Sequence, residues 1–237
     1  MTSEATHEAL EHALREANAP SHVRLFMQDL SLRLTPQGTL FVGDDGEPSI
    51  HATGHGDLVD ALRRSGLLDA FLAAGGKTVW ITNVDNLGAT IDPVLLGMFL
   101  ESGKDVLCEV CRKEGDKGGI PVHAEGTLQV LEEFRLPPGF DPGTVNVFNT
   151  NTFLVRAEPL ARTPLHWTFF EVEKTVDGRP AIQFERLLQE ITAQMPSAYV
   201  EVPRDGGASR FLPVKDNAEL ERRRATIEVV ARARGMV

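Results

Sequence analysis

The sequence predicts an α/β protein with a mainly parallel sheet, helices on both faces and additional hairpins. Two observations indicate this class. Strand-like and helix-like stretches alternate through most of the 237 residues, as in chains that build a parallel sheet. The β-branched and aromatic run Thr78–Ile81 follows two glycines and is typical of a buried parallel strand. We predict one domain over residues 1–237, with a C-terminal helix over 216–237.

The composition argues against two classes of partner. The formal net charge is -10, which disfavours nucleic acid because a phosphate backbone demands a positive face. No apolar run approaches the length of a membrane span, and the acidic N-terminal stretch lacks the pattern of a signal peptide. Because only two cysteines occur, we expect no disulfide scaffold and a reducing, cytoplasmic environment.

The first helix and strand follow from local patterns. Ser3 can cap a helix that runs to about Asn18, with apolar residues along one side. A short apolar run predicts a strand over residues 23–26. Gln28 then falls at the end of that strand, where an amide can read a base or simply form part of a turn.

A predicted hairpin over residues 39–51 leads into Gly54-His55-Gly56-Asp57. The glycines let the backbone approach a ligand closely, and Asp57 is placed to cap the helix that follows. Two interpretations stay open. A glycine-rich turn that opens a helix is a ready anion site, but the same pattern also describes a loop with a capping aspartate.

The polar residues after Thr78–Ile81 form the first candidate site. Asn83, Asp85 and Asn86 arrive where the strand should end, and in open α/β sheets ligands bind beyond the carboxyl ends of strands. A carboxylate flanked by amides and a glycine can hold a hard divalent cation that also contacts phosphate oxygens. The alternative is an Asx turn followed by the cap of a helix at Asp92.

Two later strand ends also carry polar side chains. The predicted strand 128–132 ends in Glu132, and the predicted strand over residues 145–148 runs into Asn149 and Asn151. Amides at a strand end suit the hydroxyl groups of a sugar, but they equally suit a turn.

The remaining elements continue the alternation. Residues 170–184 predict a hairpin, residues 185–195 a helix and residues 200–202 a short strand. The Cys-Glu-Val-Cys run over 108–111 lies inside a predicted strand without a second pair, so we interpret both thiols as structural.

The C-terminal stretch adds one more candidate residue. Lys215 closes an apolar run, where it can lead a cap or reach a phosphate as a point charge. A charged helix over residues 217–234 ends the chain, and we interpret Arg222, Arg223 and Arg224 as its solvated face.

Five motifs together resemble the UTP–glucose-1-phosphate uridylyltransferase family. They follow the family's order and extend over nearly the whole chain: Gly54-His55-Gly56-Asp57, Asn83-Val84-Asp85-Asn86-Leu87-Gly88-Ala89-Thr90, Lys117-Gly118-Gly119, Phe148-Asn149-Thr150-Asn151 and Arg210-Phe211-Leu212-Pro213-Val214-Lys215. The related UDP-N-acetylhexosamine pyrophosphorylases share the Asp85-Asn86 pair, but the following Leu-Gly-Ala-Thr resembles the glucose branch.

The resemblance implies a fold, a reaction and a set of site residues. The fold is the Rossmann-like sheet of nucleotide-diphospho-sugar transferases. The reaction joins UTP and glucose 1-phosphate into UDP-glucose and pyrophosphate, and it needs positioning and charge neutralisation more than a protein nucleophile. By the resemblance, Asp85 holds Mg²⁺, Lys215 grips the phosphates, and Gln28 and Gly54 line the uridine pocket, with His55 near the phosphates or sugar. The resemblance also implies that Asn83 contacts the sugar nucleotide. The residues implied to bind the glucose hydroxyl groups are Glu132, Asn149 and Asn151, alongside Gly119.

Two departures from the family pattern lead to a further expectation. The Gly-rich nucleotide loop Leu-x-Gly-Gly-x-Gly-Thr and its catalytic lysine have no match here, and Met1-Thr2-Ser3 resembles a mid-chain motif near the uracil pocket. We therefore expect an N-terminally incomplete nucleotidyltransferase with impaired activity alone, whose partner is a missing N-terminal half or a further copy of the chain. The alternative is a non-catalytic UDP-sugar-binding or regulatory module.

Overall fold

The computed structural model describes all residues from Met1 to Val237 and divides them into two compact units. Unit 1 comprises Met1–Gly76 and Pro164–Leu188, and unit 2 comprises Lys77–Thr163 and Gln189–Val237. The helices are α1 (Glu4–Glu16), α2 (Leu58–Arg64), α3 (Leu67–Ala73), α4 (Pro93–Ser102), α5 (Ala157–Arg162), α6 (Ile191–Gln194) and α7 (Asn217–Ala233). The strands are β1 (Leu30–Leu32), β2 (Ile50–Ala52), β3 (Thr78–Ile81), β4 (Val106–Arg112), β5 (Ile120–Ala124), β6 (Thr127–Leu131), β7 (Val147–Arg156), β8 (Phe170–Val176), β9 (Arg179–Glu185) and β10 (Ser197–Glu201).

Unit 1 contains two small antiparallel sheets. β1 pairs with β2, and β8 pairs with β9, so the hairpin predicted over residues 170–184 is confirmed. Its turn residues Asp177 and Gly178 both have positive φ, at 51° and 69°, as tight hairpin turns require. The hairpin predicted over 39–51 is shorter than predicted. An isolated bridge joins Val42 to Pro48, and the N–H groups of Gly43 and Ser49 donate to the carbonyls of Glu47 and Phe41, both at 2.9 Å, whereas Ile50–Ala52 pair with β1.

Unit 2 contains a four-stranded sheet in the order β10-β4-β7-β3. β10 runs parallel to β4, whereas β7 is antiparallel to both β4 and β3. The α/β class and a mixed sheet are confirmed, but only one of the three strand pairings is parallel, so the sheet is not mainly parallel. The reason is that β7 follows the β5–β6 hairpin instead of a crossover helix, and it therefore runs opposite to its neighbours.

α4 forms the crossover from β3 to β4 and packs on the sheet. Asp92 begins the helix as predicted, since its side chain accepts the N–H groups of Val94 at 2.8 Å and Leu95 at 3.3 Å. Phe99 is buried against Leu107 of β4 and Leu154 of β7. The crossover makes β3 and β4 run in the same direction, so the loop after β3 lies at the edge of the sheet where β4 also ends.

Two predicted elements are wrong. Residues 23–26 form no strand, and only an isolated bridge joins Thr2 to Met27. Residues 185–195 are not one helix, because the N–H of Arg186 pairs with the carbonyl of Thr53 at 3.2 Å and keeps the backbone extended there. Only the 3₁₀ turn Leu188–Glu190 and the short α6 remain helical.

Other predicted features are confirmed. Both cysteines lie in β4, where they are buried and free. α7 begins after Asp216, whose side chain accepts the N–H of Glu219 at 2.7 Å. None of the helices combines the length and apolar character needed to cross a bilayer. The single domain over residues 1–237 stays a prediction.

Candidate functional site

The loop after β3 is fixed to the segment that precedes α7. Asn86 is buried, and its amide donates to the carbonyl of Arg210 at 3.1 Å. Its Oδ1 accepts the N–H groups of Gly88 at 3.2 Å and Leu212 at 2.8 Å. A Cβ on Gly88 would lie 2.7 Å from the carbonyl carbon of Arg210, so only glycine permits this approach. Asn86 is therefore a structural clamp, because its side-chain donor and acceptor are already bonded within the protein.

This clamp brings Asp85 and Lys215 to the same cleft. The N–H of Val214, next to Lys215, donates to the backbone carbonyl of Asp85 at 2.8 Å. The cleft has a volume of about 440 Å³, and we call it the β3 cleft. Its lining is Asn83, Asp85, Asn86, Asp116, Lys117, Phe148, Asn149, Thr150, Asn151, Arg204, Phe211, Pro213, Lys215, Glu219 and Arg223.

A β-bulge aims two further predicted residues into the β3 cleft. The register between β4 and β7 shifts at Glu109 and Val110, opposite the Asn149–Asn151 stretch. Asn151 has φ of 59°, a left-handed conformation that asparagine tolerates better than most residues. Its amide donates to Oδ1 of Asn83 at 2.8 Å. The prediction that these amides follow a strand end is wrong, because they lie inside β7, where the bulge redirects them.

Gly119 and Glu132 form a second group connected to this bulge. The N–H of Asn149 donates to the carbonyl of Gly119 at 2.8 Å, and a Cβ on Gly119 would lie 2.5 Å from Cγ1 of Val130. Burial raises the pKa of the Glu132 carboxyl, and the charge of Glu133 adds to this effect, although hydrogen bonds partly oppose it. Neither Gly119 nor Glu132 belongs to the lining of the β3 cleft.

Gln189 is a residue of this group that sequence patterns do not reveal. It is buried, and its amide donates to Glu132, while its own Oε1 is buried without a partner. A glutamine in a predicted helix offers no signal for such a contact, since the partner lies 57 positions away in the chain.

The three predicted residues of unit 1 also come together. Oε1 of Gln28 accepts the N–H of Gly54 at 3.1 Å, and Gly54 has φ of 87°. Nδ1 of His55 accepts the N–H of Leu188 at 3.1 Å. Burial lowers the pKa of the His55 imidazole, and the charge of Glu185 opposes this only in part. The neutral imidazole therefore accepts a hydrogen bond from the backbone and fixes the segment at Leu188 beside the turn over residues 54–57.

Asp57 does not cap the helix after it. Its carboxylate is fully buried, forms an ion pair with Arg186 and accepts the N–H of Asp29. Leaving this buried carboxylate without its arginine would cost about 3 to 5 kcal/mol, which is more than the roughly 1 kcal/mol that a helix cap contributes. Gly56 permits the close packing, because a Cβ there would lie 2.3 Å from the carbonyl carbon of Arg186.

Arg204 and Arg210 stay close although the segment Asp205-Gly206-Gly207-Ala208-Ser209 separates them. The N–H of Arg210 pairs with the carbonyl of Pro203 at 2.9 Å, so this segment loops out. Arg204 binds Asp116 at 2.7 Å, and its guanidinium lies 5.4 Å from the ring centroid of Phe211. The sequence motifs do not assign Arg204, Asp116 or Phe211 to the site.

The donor set at Asp85 fits only one kind of metal site. No group of three or more His, Cys, Asp or Glu side chains is arranged to hold a metal ion. Asp85 is half-buried and lines the β3 cleft. Mg²⁺ commonly binds through one or two carboxylates and takes its other ligands from substrate phosphates and water, so a single aspartate suffices for a substrate-completed site.

Comparison with known proteins supplies the family. The sequence model of the family described as UTP–glucose-1-phosphate uridylyltransferase matches residues 1–227. The chain belongs to this family. The uridylyltransferase of Saccharomyces cerevisiae is 30% identical over 240 residues, which cover 93% of this chain and 47% of that protein. The Musa acuminata enzyme is 31% identical over 215 residues, covering 86% and 44%.

Solved structures agree with this assignment. UDP-glucose phosphorylase from Trypanosoma brucei has a TM-score of 0.78 at 26% identity, covering 92% of this chain and 53% of that one. A UDP-N-acetylglucosamine pyrophosphorylase from Entamoeba histolytica has a TM-score of 0.73 at 19% identity and shows a likeness of fold alone. The chain therefore spans about half the length of the uridylyltransferases that it matches.

Proposed function

We propose that this chain provides the sugar-nucleotide side of a uridylyltransferase that forms UDP-glucose and pyrophosphate from UTP and glucose 1-phosphate. One observation carries the proposal: Asp85, Lys215 and the amides Asn83, Asn149 and Asn151 line a single cleft. The mixed sheet of unit 2 would be part of a Rossmann-like sheet. The product places the chain in carbohydrate metabolism, and two free cysteines suit the cytoplasm.

The phosphates would lie between a carboxylate and a cation. Lys215 is exposed at the β3 cleft, where its ammonium can hold a phosphate oxygen as a point charge. Asp85 would hold Mg²⁺, which supplies charge neutralisation to the transferring phosphate when it is bound. This division of work suits a nucleotidyl transfer, because positioning and charge supply most of the catalysis.

The hexose would be recognised by amides and a carboxylate. Asn151 has a buried Oδ1 without a partner, which can accept a hydroxyl group from a sugar. Glu132 offers a second acceptor beside Gly119. In unit 1, Gln28 and Gly54 would line the uridine pocket, and His55 would support that turn.

Two alternatives remain to be tested against this proposal. A non-catalytic module would bind UDP-glucose and release no pyrophosphate. A UDP-N-acetylhexosamine pyrophosphorylase would prefer UDP-N-acetylglucosamine, although the matched family favours the glucose sugar.

The deciding experiment combines a coupled assay for UDP-glucose formation with calorimetry of UDP-glucose binding in the presence of Mg²⁺. We expect Asp85→Ala to abolish any magnesium-dependent turnover and to weaken binding. Asp205→Ala is the matched control, since Asp205 is exposed and outside the lining of the β3 cleft. Equal behaviour of both variants would contradict the role of Asp85. Binding without turnover in the unmodified chain would favour the module.

A further inference from the structure

α7 does not present all its arginines to solvent. The side chains of Arg222 and Arg224 are 68% and 61% exposed, whereas that of Arg223 is 33% exposed. Arg223 also lines the β3 cleft, together with Lys215 and Asp85, and its two neighbours do not. The prediction that these arginines form one solvated face is therefore wrong for Arg223.

Glu219 contacts the backbone of Lys215 and the side chain of Arg223 on this side of the cleft. One carboxylate oxygen accepts the backbone N–H of Lys215 at 2.9 Å, which leaves the Lys215 ammonium outside this contact. The other oxygen contacts Arg223 at 3.1 Å and Arg222 at 3.0 Å. Arg223 is therefore held in place by Glu219, but it shares the negative charge of that carboxylate with the guanidinium of Arg222.

The charges of the β3 cleft leave a positive surplus beside Lys215. Four cationic side chains and three carboxylates line the cleft. Arg204 is matched by Asp116, but Glu219 can neutralise only one of the two arginines that it contacts. A rigid cation with unused donors at the rim of a cleft suits an anion with several oxygens, because guanidinium binds phosphate in a bidentate geometry.

We propose that Arg223 binds a phosphate group in the β3 cleft, beside Lys215. This inference rests on the proposed function for the identity of the ligand, a nucleoside diphosphate sugar or pyrophosphate. It adds a second phosphate contact that comes from the body of α7 rather than from the Arg210-Phe211-Leu212-Pro213-Val214-Lys215 motif.

Arg222 provides an unusually close control. It lies one position away on α7, has the same charge and contacts the same oxygen of Glu219, yet it does not line the cleft. Calorimetry with inorganic pyrophosphate and with UDP-glucose, at one ionic strength, would compare the full chain with Arg222→Ala, Arg223→Ala and Arg223→Lys.

We expect Arg223→Ala to weaken pyrophosphate binding about three- to fivefold, as loss of a partly exposed ion pair does. Arg222→Ala should stay within about twofold, since its charge lies outside the cleft. Arg223→Lys should recover part of the loss. Equal effects of the two alanine variants, or no pyrophosphate binding by the full chain, would overturn the inference. If pyrophosphate binds in an Arg223-dependent way while UDP-glucose does not bind, only the proposed function fails.

Discussion

Replacing Asn86 by alanine should separate the two segments that carry Asp85 and Lys215. The substitution removes three hydrogen bonds, to Arg210, Gly88 and Leu212. Asn86 is only 6% exposed, so water cannot readily replace these bonds. At about 1 kcal/mol for each bond, and more if a buried donor stays unpaired, we expect a loss of about 3 to 5 kcal/mol in the free energy of unfolding.

The assay is chemical denaturation of Asn86→Ala beside Asn146→Ala, followed by calorimetry with UDP-glucose. Asn146 is exposed, and its substitution should change the free energy of unfolding by less than about 0.5 kcal/mol. We expect Asn86→Ala also to lose ligand affinity at concentrations of denaturant where it is still folded. An Asn86→Ala protein with the stability and affinity of the Asn146→Ala protein would refute the clamp.

Two further predictions concern unit 1. Gly56→Ala should destabilise the protein by about 2 kcal/mol or more, because its Cβ would meet the backbone of Arg186 at 2.3 Å. Gly97→Ala, with nothing within 4 Å of its Cβ, should instead stabilise α4 by about 0.5 to 1 kcal/mol. Thermal denaturation compares the two variants, and equal shifts in melting temperature would contradict the close packing at Gly56. His55 has a pKa lowered by burial, so the unfolded chain takes up its proton first, and stability should fall as the pH drops below about 6.5. His55→Asn keeps an acceptor for the N–H of Leu188 and should make the loss of stability between pH 7 and pH 5 smaller. If denaturation curves show the same dependence of stability on pH in the variant and in the unmodified chain, His55 is not the group responsible.

Strong local signals predicted several parts of the fold correctly. Asp92 followed by Pro93 specifies a helix start through one side chain and one fixed φ, and α4 begins there. Asp177-Gly178 supplies the positive φ values of a tight turn, and the β8–β9 hairpin forms around it. In both cases the decisive interactions span only a few residues.

Predictions failed where distant partners decide the conformation. Residues 185–195 have a helical pattern, but Arg186 is drawn into an extended contact with Thr53 and an ion pair with Asp57. Asp57 itself has the local environment of a cap, yet the buried arginine takes its carboxylate. Propensity is worth a few tenths of a kcal/mol for each residue, whereas leaving the buried Asp57 carboxylate unpaired would cost about 3 to 5 kcal/mol, so the distant contact decides the conformation.

In the candidate site, too, local motifs identified some residues and distant contacts determined the others. The motifs named Asn83, Asp85, Asn149, Asn151 and Lys215 from the sequence, and all of them line one cleft. The motifs gave no reason to select Gln189 or Arg223. Their roles arise from contacts with Glu132 and Glu219 and from the side of the helix or turn on which they lie.

The sequence by itself determined the α/β class, the family and the residue types of the site, because these depend on local patterns and on a characteristic order of motifs. Only the tertiary structure decided the direction of β7, the bulge that aims Asn151 and the clamp made by Asn86. These features depend on hydrogen bonds between residues far apart in the chain. The geometry of such bonds follows from how the packed elements meet, which no local pattern records.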